Sequence, residues 1–214
     1  MKRQYLMILP LFALVACSST VKVQVPPRMM MDRSETVGVL TFTSQGADED
    51  DQDVTSRFMQ AIHEEQPGVA FVDLGDQEEV LAEIGETRLS GTAVQEIGRK
   101  FAVDKILTGD LGLKESQPKV DVDLDRGLNL NSLKAQIRLD GTLDAKLHDT
   151  NRGAIIWTGS SSRWIELASL DGSVQGDGSV SLPDRERQYG LLIHDMVREA
   201  SRDFRSRWER QPKQ

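Results

Sequence analysis

Leu133-Lys-Ala-Gln-Ile-Arg-Leu-Asp-Gly-Thr-Leu-Asp-Ala-Lys-Leu147 places an apolar residue or glycine at every odd position and a charged or polar residue at the even ones. A strict period of two over this length is the mark of a long strand with one buried face. Asp149-Thr-Asn-Arg-Gly153 then supplies turn chemistry, and Ala154 to Leu167 returns as the antiparallel partner. In that returning strand Ile155 and Trp157 are expected to carry most of the packing.

Upstream, Val37-Gly-Val-Leu-Thr-Phe-Thr43 is a short β-branched apolar run and reads as a buried strand. An acidic loop, Asp48-Glu-Asp-Asp-Gln-Asp53, leads into Val54, Phe58, Ala61, Ile62 and Glu65. Their spacing is helical, with Asp53 as the N-cap and Pro67-Gly68 as the stop. Val69 to Leu74 is a second strand. Asp76 and Glu79 have capping-box spacing ahead of Val80, Leu81 and Ile84, a short helix ended by Gly85. Val94, Ile97 and Phe101 mark a helix over Thr92 to Phe101, and Lys105 to Leu113 is a third apolar run. The order strand, helix, strand, two helices, strand predicts α/β layers.

Downstream, Asp171-Gly-Ser173 and Gly176-Asp-Gly-Ser179 form a glycine-serine loop that is expected to move. Pro183 and Asp184 open the clearest helix of the chain. Tyr189, Leu192, Ile193, Met196, Val197, Ala200, Phe204 and Trp208 recur along it at threes and fours. Arg198, Arg202, Arg205, Arg207 and Arg210 toward its end suit the negative pole of the helix dipole. The expected fold is α/β: a mixed sheet of about five strands with a long antiparallel hairpin, packed by three short helices and a long C-terminal amphipathic helix.

The N-terminal stretch says where such a domain resides. Lys2 and Arg3 are followed by the apolar run Leu6 to Val15, and Ala16 stands before Cys17, the one cysteine of the chain. The run is too short to span a bilayer, which takes about 20 apolar residues, but has the length of a signal-peptide core. Leu14-Val-Ala-Cys17 resembles the lipobox of bacterial lipoproteins, in which the cysteine becomes the lipidated first residue of the mature chain. Ser18-Ser19, where an inner-membrane lipoprotein would carry aspartate, resembles the pattern of export to the outer membrane. Residues 18–35, with Pro26-Pro27 and Met29-Met30-Met31, show no helix or strand period and read as a tether. The chain thus divides into a lipoprotein signal peptide (1–16), a lipidated tether (17–35), a single α/β domain (36–209) and a tail (210–214).

Composition narrows the function. Removing residues 1–16 takes two of the 26 basic residues and leaves all 34 acidic ones, moving the net charge from −8 to about −10. Such a balance argues against nucleic acid as a partner. With Cys17 committed to lipid, disulfides, thiolate catalysis and cysteine-metal clusters are excluded.

Val37-Gly-Val-Leu-Thr-Phe, Phe71-Val-Asp, Asp104-Lys-Ile-Leu-Thr-Gly-Asp and the strand-turn-strand Leu143-Asp-Ala-Lys-Leu-His-Asp-Thr-Asn-Arg-Gly-Ala-Ile-Ile-Trp resemble the pattern of the curli-secretion lipoprotein (CsgG-like) family. They are also similar to the wider group with the TolB amino-terminal-domain fold, including penicillin-binding-protein activator lipoproteins. The resemblance covers about residues 36 to 209 and implies a domain that binds or assembles protein partners without catalysis. Curli-secretion lipoproteins also carry two membrane-inserting hairpins, which would fall near residues 116–132 and 168–183. Here the chain departs from the family. Neither segment alternates apolar residues over 9 to 11 positions between aromatic girdles, as a membrane strand does.

Other chemistry is sparse. Asp121-Val-Asp-Leu-Asp-Arg-Gly-Leu-Asn-Leu-Asn-Ser132 has the alternate carboxylates of a calcium loop, but its glycine stands one place late and Ser132 replaces the closing glutamate. An alternating polar strand face accounts for the same residues. His63, His148 and His194 have no cysteine, second histidine or serine at metal or triad spacing. Gly109-Asp-Leu-Gly112 lacks the lysine and third glycine of a phosphate loop. No catalysis, metal or cofactor is expected. The expectation is an outer-membrane lipoprotein facing the periplasm, held by Cys17, that binds an envelope or secretion-machinery protein through its sheet edge or the loop near 168–183. The alternative implied by the resemblance is a ring-forming secretion-channel subunit, a homo-oligomer.

Overall fold

In the computed structural model, which describes residues 20–45, 51–116, 119–121, 134–171 and 185–212, the alternating stretch is the long strand β7. It spans Lys134–Asp149 and pairs along its whole length with β8, Ala154–Asp171. Leu139, Leu143, Ala145 and Leu147 are buried on one face, and Arg138, Thr142 and Asp144 are exposed on the other. Each such leucine contributes about 1.5–3 kcal/mol by leaving water. The predicted turn forms: Asp149 Oδ1 accepts from the backbone N–H groups of Asn151 (2.9 Å) and Arg152 (3.0 Å), and Gly153 takes a φ of 63°.

The rest of the sheet is built outward from β7. In chain order the elements are β1 (Thr20–Val25), β2 (Thr36–Leu40), β3 (Thr43–Gln45), α1 (Asp51–Glu65), β4 (Ala70–Gly75), α2 (Gln77–Glu83), α3 (Gly91–Phe101), β5 (Lys105–Glu115), β6 (Lys119–Asp121), β7, β8, α4 (Arg185–Ala200) and β9 (Arg207–Pro212). Seven strands form one mixed sheet in the order β4-β2-β5-β7-β6, with β3 added on β5 and β8 on β7. The β2 pairings with β4 and β5 are parallel, and those of β5 with β7 and β7 with β8 antiparallel. From β2 the chain steps outward to β4 through α1, then back across β2 to β5 through α2 and α3. A constant crossover hand puts these two sets of helices on opposite faces.

The buried clusters follow that division. On one face Val54, Phe58 and Ile62 of α1 and Leu192, Ile193 and Met196 of α4 pack on Val37, Val39, Leu107, Leu143 and Leu147. On the other, Val80 and Leu81 of α2 and Val94 and Ile97 of α3 pack on Leu40 and Ile106. The predicted caps hold in part. Asp76 accepts from the N–H groups of Glu78 and Glu79, as its spacing predicted, and α3 has a cap the sequence analysis did not name, the Ser90 side chain accepting from the Ala93 N–H. Asp53, expected as an N-cap, lies inside α1, which begins at Asp51, and pairs with Arg57 one turn on at 2.8 Å.

Four further expectations are corrected. Residues 18–35 were expected to lack strand structure, yet Thr20–Val25 is a strand. Its alternation Val21-Lys-Val-Gln-Val25 carries the period of two, and its antiparallel partner β9 lies at the far end of the chain. Met31 of the same stretch is buried in the larger core.

The C-terminal helix stops at Ala200, so Phe204 and Trp208 are not on it. The Ser201 hydroxyl donates to the Val197 carbonyl at 2.7 Å, a 3-10 turn spans Arg202–Phe204, and Arg205 is extended. Phe204 thereby enters the core and Trp208 leaves it, although both keep helical spacing. Residues 210–212, expected in a tail, belong to β9.

Ile155 is 52% exposed rather than packed. The β7–β8 register shifts between Leu147, opposite Trp157, and His148, opposite Ile155, leaving Ile156 as an extra residue. That irregularity turns Ile155 to the opposite face from Trp157.

An aromatic row runs beneath α1. Phe42 and Phe58 have ring centroids 5.3 Å apart, Phe58 and Trp157 6.4 Å, and Trp157 and Phe204 4.6 Å in an edge-on contact. Gly109 of β5 admits Phe42 to this row, because a Cβ there would stand 2.3 Å from the ring. Phe42 is 1% exposed and has nowhere to retreat. Gly109→Ala is therefore expected to destabilise the protein by about 1–3 kcal/mol, read as a lowered urea midpoint with an unchanged slope.

Candidate protein-binding edge

β8 has one long neighbour, β7, and its outer edge pairs with no strand among the described residues. Register irregularities leave Ile156 and Leu167 unmatched on β8. Between them, residues 157–166 run in regular register, and no described strand pairs with the outward side of this run. An open edge of this kind is a template for another extended chain.

The hairpin face turned away from α1 and α4 is open beside that edge. Thr142, Asp144, Ser160, Ser162 and Trp164 are exposed there. Trp164 lies opposite Asp140 and is 57% exposed. The Arg138 guanidinium sits 4.5 Å from its ring centroid, and Arg138 Nε donates to Asp140 Oδ1 at 2.7 Å. The carboxylate orients the guanidinium and the guanidinium steadies the indole, a stack worth about 0.5–1 kcal/mol at an exposed site. On the buried side of the same strand, Arg163 reaches Glu199 of α4 at 3.8 Å. The strand therefore presents an oriented aromatic group beside an edge that no described strand pairs with, with polar neighbours around it.

The predicted site residues are spread out. Cys17, the residues after Asp121 in the calcium-like stretch and acidic residues 48–50 lie outside the described residues. Most of the hairpin segments 116–132 and 168–183 lies outside them too. His63 and His194 are exposed on α1 and α4, with His194 at the rim of a polar groove of about 460 Å³ that also takes in Arg57, Gln60, Glu64 and Arg205. Among the described residues no three of His, Cys, Asp and Glu stand close enough to hold a metal ion. Sequence reading missed Trp164 and Arg138. The signal was present: counted from the buried odd positions of β7, the register puts Trp164 on the polar phase, where a large aromatic is out of place.

The period of two places His148 on the polar side of β7. It is on that face, but its side chain is buried, with Nε2 3.3 Å from the Thr108 hydroxyl of β5. Burial holds its pKa below the ordinary 6.5, and the Lys146 charge adds to the effect.

No family model matches this chain, and no curated protein matches it. Solved structures match at low identity. The PelC dodecamer from Paraburkholderia phytofirmans is 10% identical, with 88% of this chain and 100% of that chain covered and a TM-score of 0.43. Lipoprotein GNA1162 from Neisseria meningitidis is 14% identical over 75% of this chain and 94% of that one, with a TM-score of 0.39. The LpoB C-terminal domain from Salmonella enterica is 14% identical over 65% and 84%, with a TM-score of 0.37.

The state of His148 makes stability depend on pH. The unfolded chain takes up a proton near pH 6.5 and the folded chain only lower, so the unfolded state binds more protons within that window. Stability is fully present above pH 6.5 and is lost as pH falls through the window. His148→Gln should flatten this stretch of the pH–stability curve in urea titrations from pH 7.5 to 5.

Proposed function

We propose that this protein is a lipid-anchored envelope module that binds a protein partner along the outer edge of β8 and does not act as an enzyme. One observation carries the reading: an 18-residue strand whose outer edge is unpaired among the described residues, with an exposed Trp164 held by Arg138 beside it. A partner segment in extended conformation gains main-chain hydrogen bonds along residues 157–166, and Trp164 offers the large apolar contact on which interface energy concentrates. The anchor is Cys17, supported by the order of basic start, apolar run and Leu-Val-Ala-Cys, and the domain then faces the periplasm from the outer membrane. No helix among the described residues is long and apolar enough to cross a membrane. The segments that resemble envelope lipoproteins lie on β2, β4, β5 and the hairpin, and so in the sheet that presents the edge. The channel reading that the curli resemblance carries has no observation among the described residues in its favour.

Three measurements test this. Labelling cells with palmitate should mark the wild type and not Cys17→Ala; label on neither or on both refutes the anchor. A photocrosslinker placed at Ser162 in living cells should give a discrete adduct with one envelope protein. Trp164→Ala should weaken that interaction at least tenfold, as expected for a central aromatic, while leaving the thermal midpoint nearly unchanged. An adduct indifferent to Trp164→Ala would place the partner elsewhere. Rings of many copies in the detergent-extracted protein would replace this reading by the channel.

A further inference from the structure

We propose that the β1–β9 ribbon is a second membrane contact, which lays Trp208 and its cationic neighbours on the anionic phospholipid surface of the bilayer. This inference is independent of the β8 edge; it draws on the Cys17 reading only for the nearness of the membrane. The ribbon is a two-stranded sheet separate from the main one. An isolated pair of strands has little stability by itself, and this one leaves nearly every side chain exposed.

Its register sorts those side chains. Gln24 faces Trp208, Lys22 faces Arg210 and Thr20 faces Pro212, so Trp208, Lys22 and Arg210 share one face. Val21 and Val23 are on the other, with Glu209 and Gln211. Trp208 is 67% exposed, and among the described residues four of the eight large exposed apolar side chains lie at this end: Val21, Val23, Met30 and Trp208. That concentration is not the scatter expected of an ordinary surface.

Charge points the same way. Residues 20–33 and 201–212 hold seven basic and three acidic side chains, a net of +4 within a chain of net −8. Ion pairs engage Arg28 with Asp203, Arg202 with Glu199 and Arg207 with Glu209. Lys22, Arg33, Arg205 and Arg210 have no ion-pair partner among the described residues. At the foot of the ribbon Pro26, Arg28, Arg202, Arg205, Ser206 and Arg207 line a groove of about 440 Å³, with Asp203 as its one acid. The four arginines against one acid give this groove a charge that suits a phosphate headgroup. Tryptophan prefers the interface between headgroups and acyl chains, and each lysine or arginine at an anionic surface raises partition about fivefold. β1 begins three residues after Cys17, a stretch of at most about 11 Å. An acyl chain on Cys17 therefore leaves the ribbon against the bilayer.

The test uses the purified full chain, with its acylation read by intact mass, added to vesicles of phosphatidylethanolamine and phosphatidylglycerol with brominated acyl chains. Bromine quenches only indole that enters the interface. Of the three tryptophans, Trp157 is buried and Trp164 sits on the hairpin. The wild type should lose the share of emission due to Trp208, and Trp208→Phe should show no such loss. Lys22→Gln with Arg210→Gln should diminish the loss, and phosphatidylcholine vesicles should diminish it for the wild type. Equal quenching of wild type and Trp208→Phe overturns the proposal, as does quenching indifferent to lipid charge. An unacylated mass with Trp208 quenching refutes the anchor and sustains the ribbon; an acylated mass without it does the reverse. Both variants alter exposed side chains, and an unchanged near-ultraviolet circular dichroism spectrum in the Trp157 region confirms their folding.

Discussion

The burial of one face of β7 is the constraint on which the structure rests. β7 is the meeting point of the sheet: β5 and β6 pair with one of its edges and β8 with the other. Leu139, Leu143 and Leu147 must all face α1 and α4, and a one-residue slip would turn the three leucines toward solvent and bring Arg138, Asp140 and Asp144 into the core. At about 1.5–3 kcal/mol for each leucine, the slip is forbidden before the cost of buried charge is counted. With β7 held in phase, the faces of β5 and β8 follow, and so do the surfaces against which the helices pack.

A second constraint acts across the chain. The row Phe42, Phe58, Trp157 and Phe204 links the end of β2, helix α1, the base of β8 and the turn after α4. Phe204 reaches that row because α4 ends at Ala200 and a 3-10 turn over Arg202–Phe204 follows it. The Met29 N–H donates to the Asp203 carbonyl at 2.9 Å, and the Gln66 amide donates to the carbonyls of Met29 and Phe204. These bonds bring the beginning and the end of the chain together on α1. The β1–β9 ribbon follows from the closure, and with it the proximity of the basic groups of both termini.

Much of the fold was legible in the sequence. The strict alternation of Leu133 to Leu147, the Asp149–Gly153 turn, the capping at Asp76 and the helical spacing of Val94, Ile97 and Phe101 each express a local rule. The candidate edge was legible in part. The long hairpin was evident, but the exposure of Trp164 depends on its register against β7, and that of Ile155 on one unmatched residue. Trp208 was misplaced for a related reason: spacing of four after Ala200 and Phe204 fits a helix equally well when the chain has already left it.

The sequence alone determined the elements whose periodicity or capping is local, because these depend on neighbours a few residues apart. Tertiary structure decided which edges stay open and which distant segments meet. β1 carries a period of two, but its partner lies nearly the whole chain away, and the segments that follow β1 and precede β9 are joined by the bonds among Met29, Gln66, Asp203 and Phe204. Exposure of Trp164 and Trp208 is likewise a property of what packs nearby, and no local pattern encodes it.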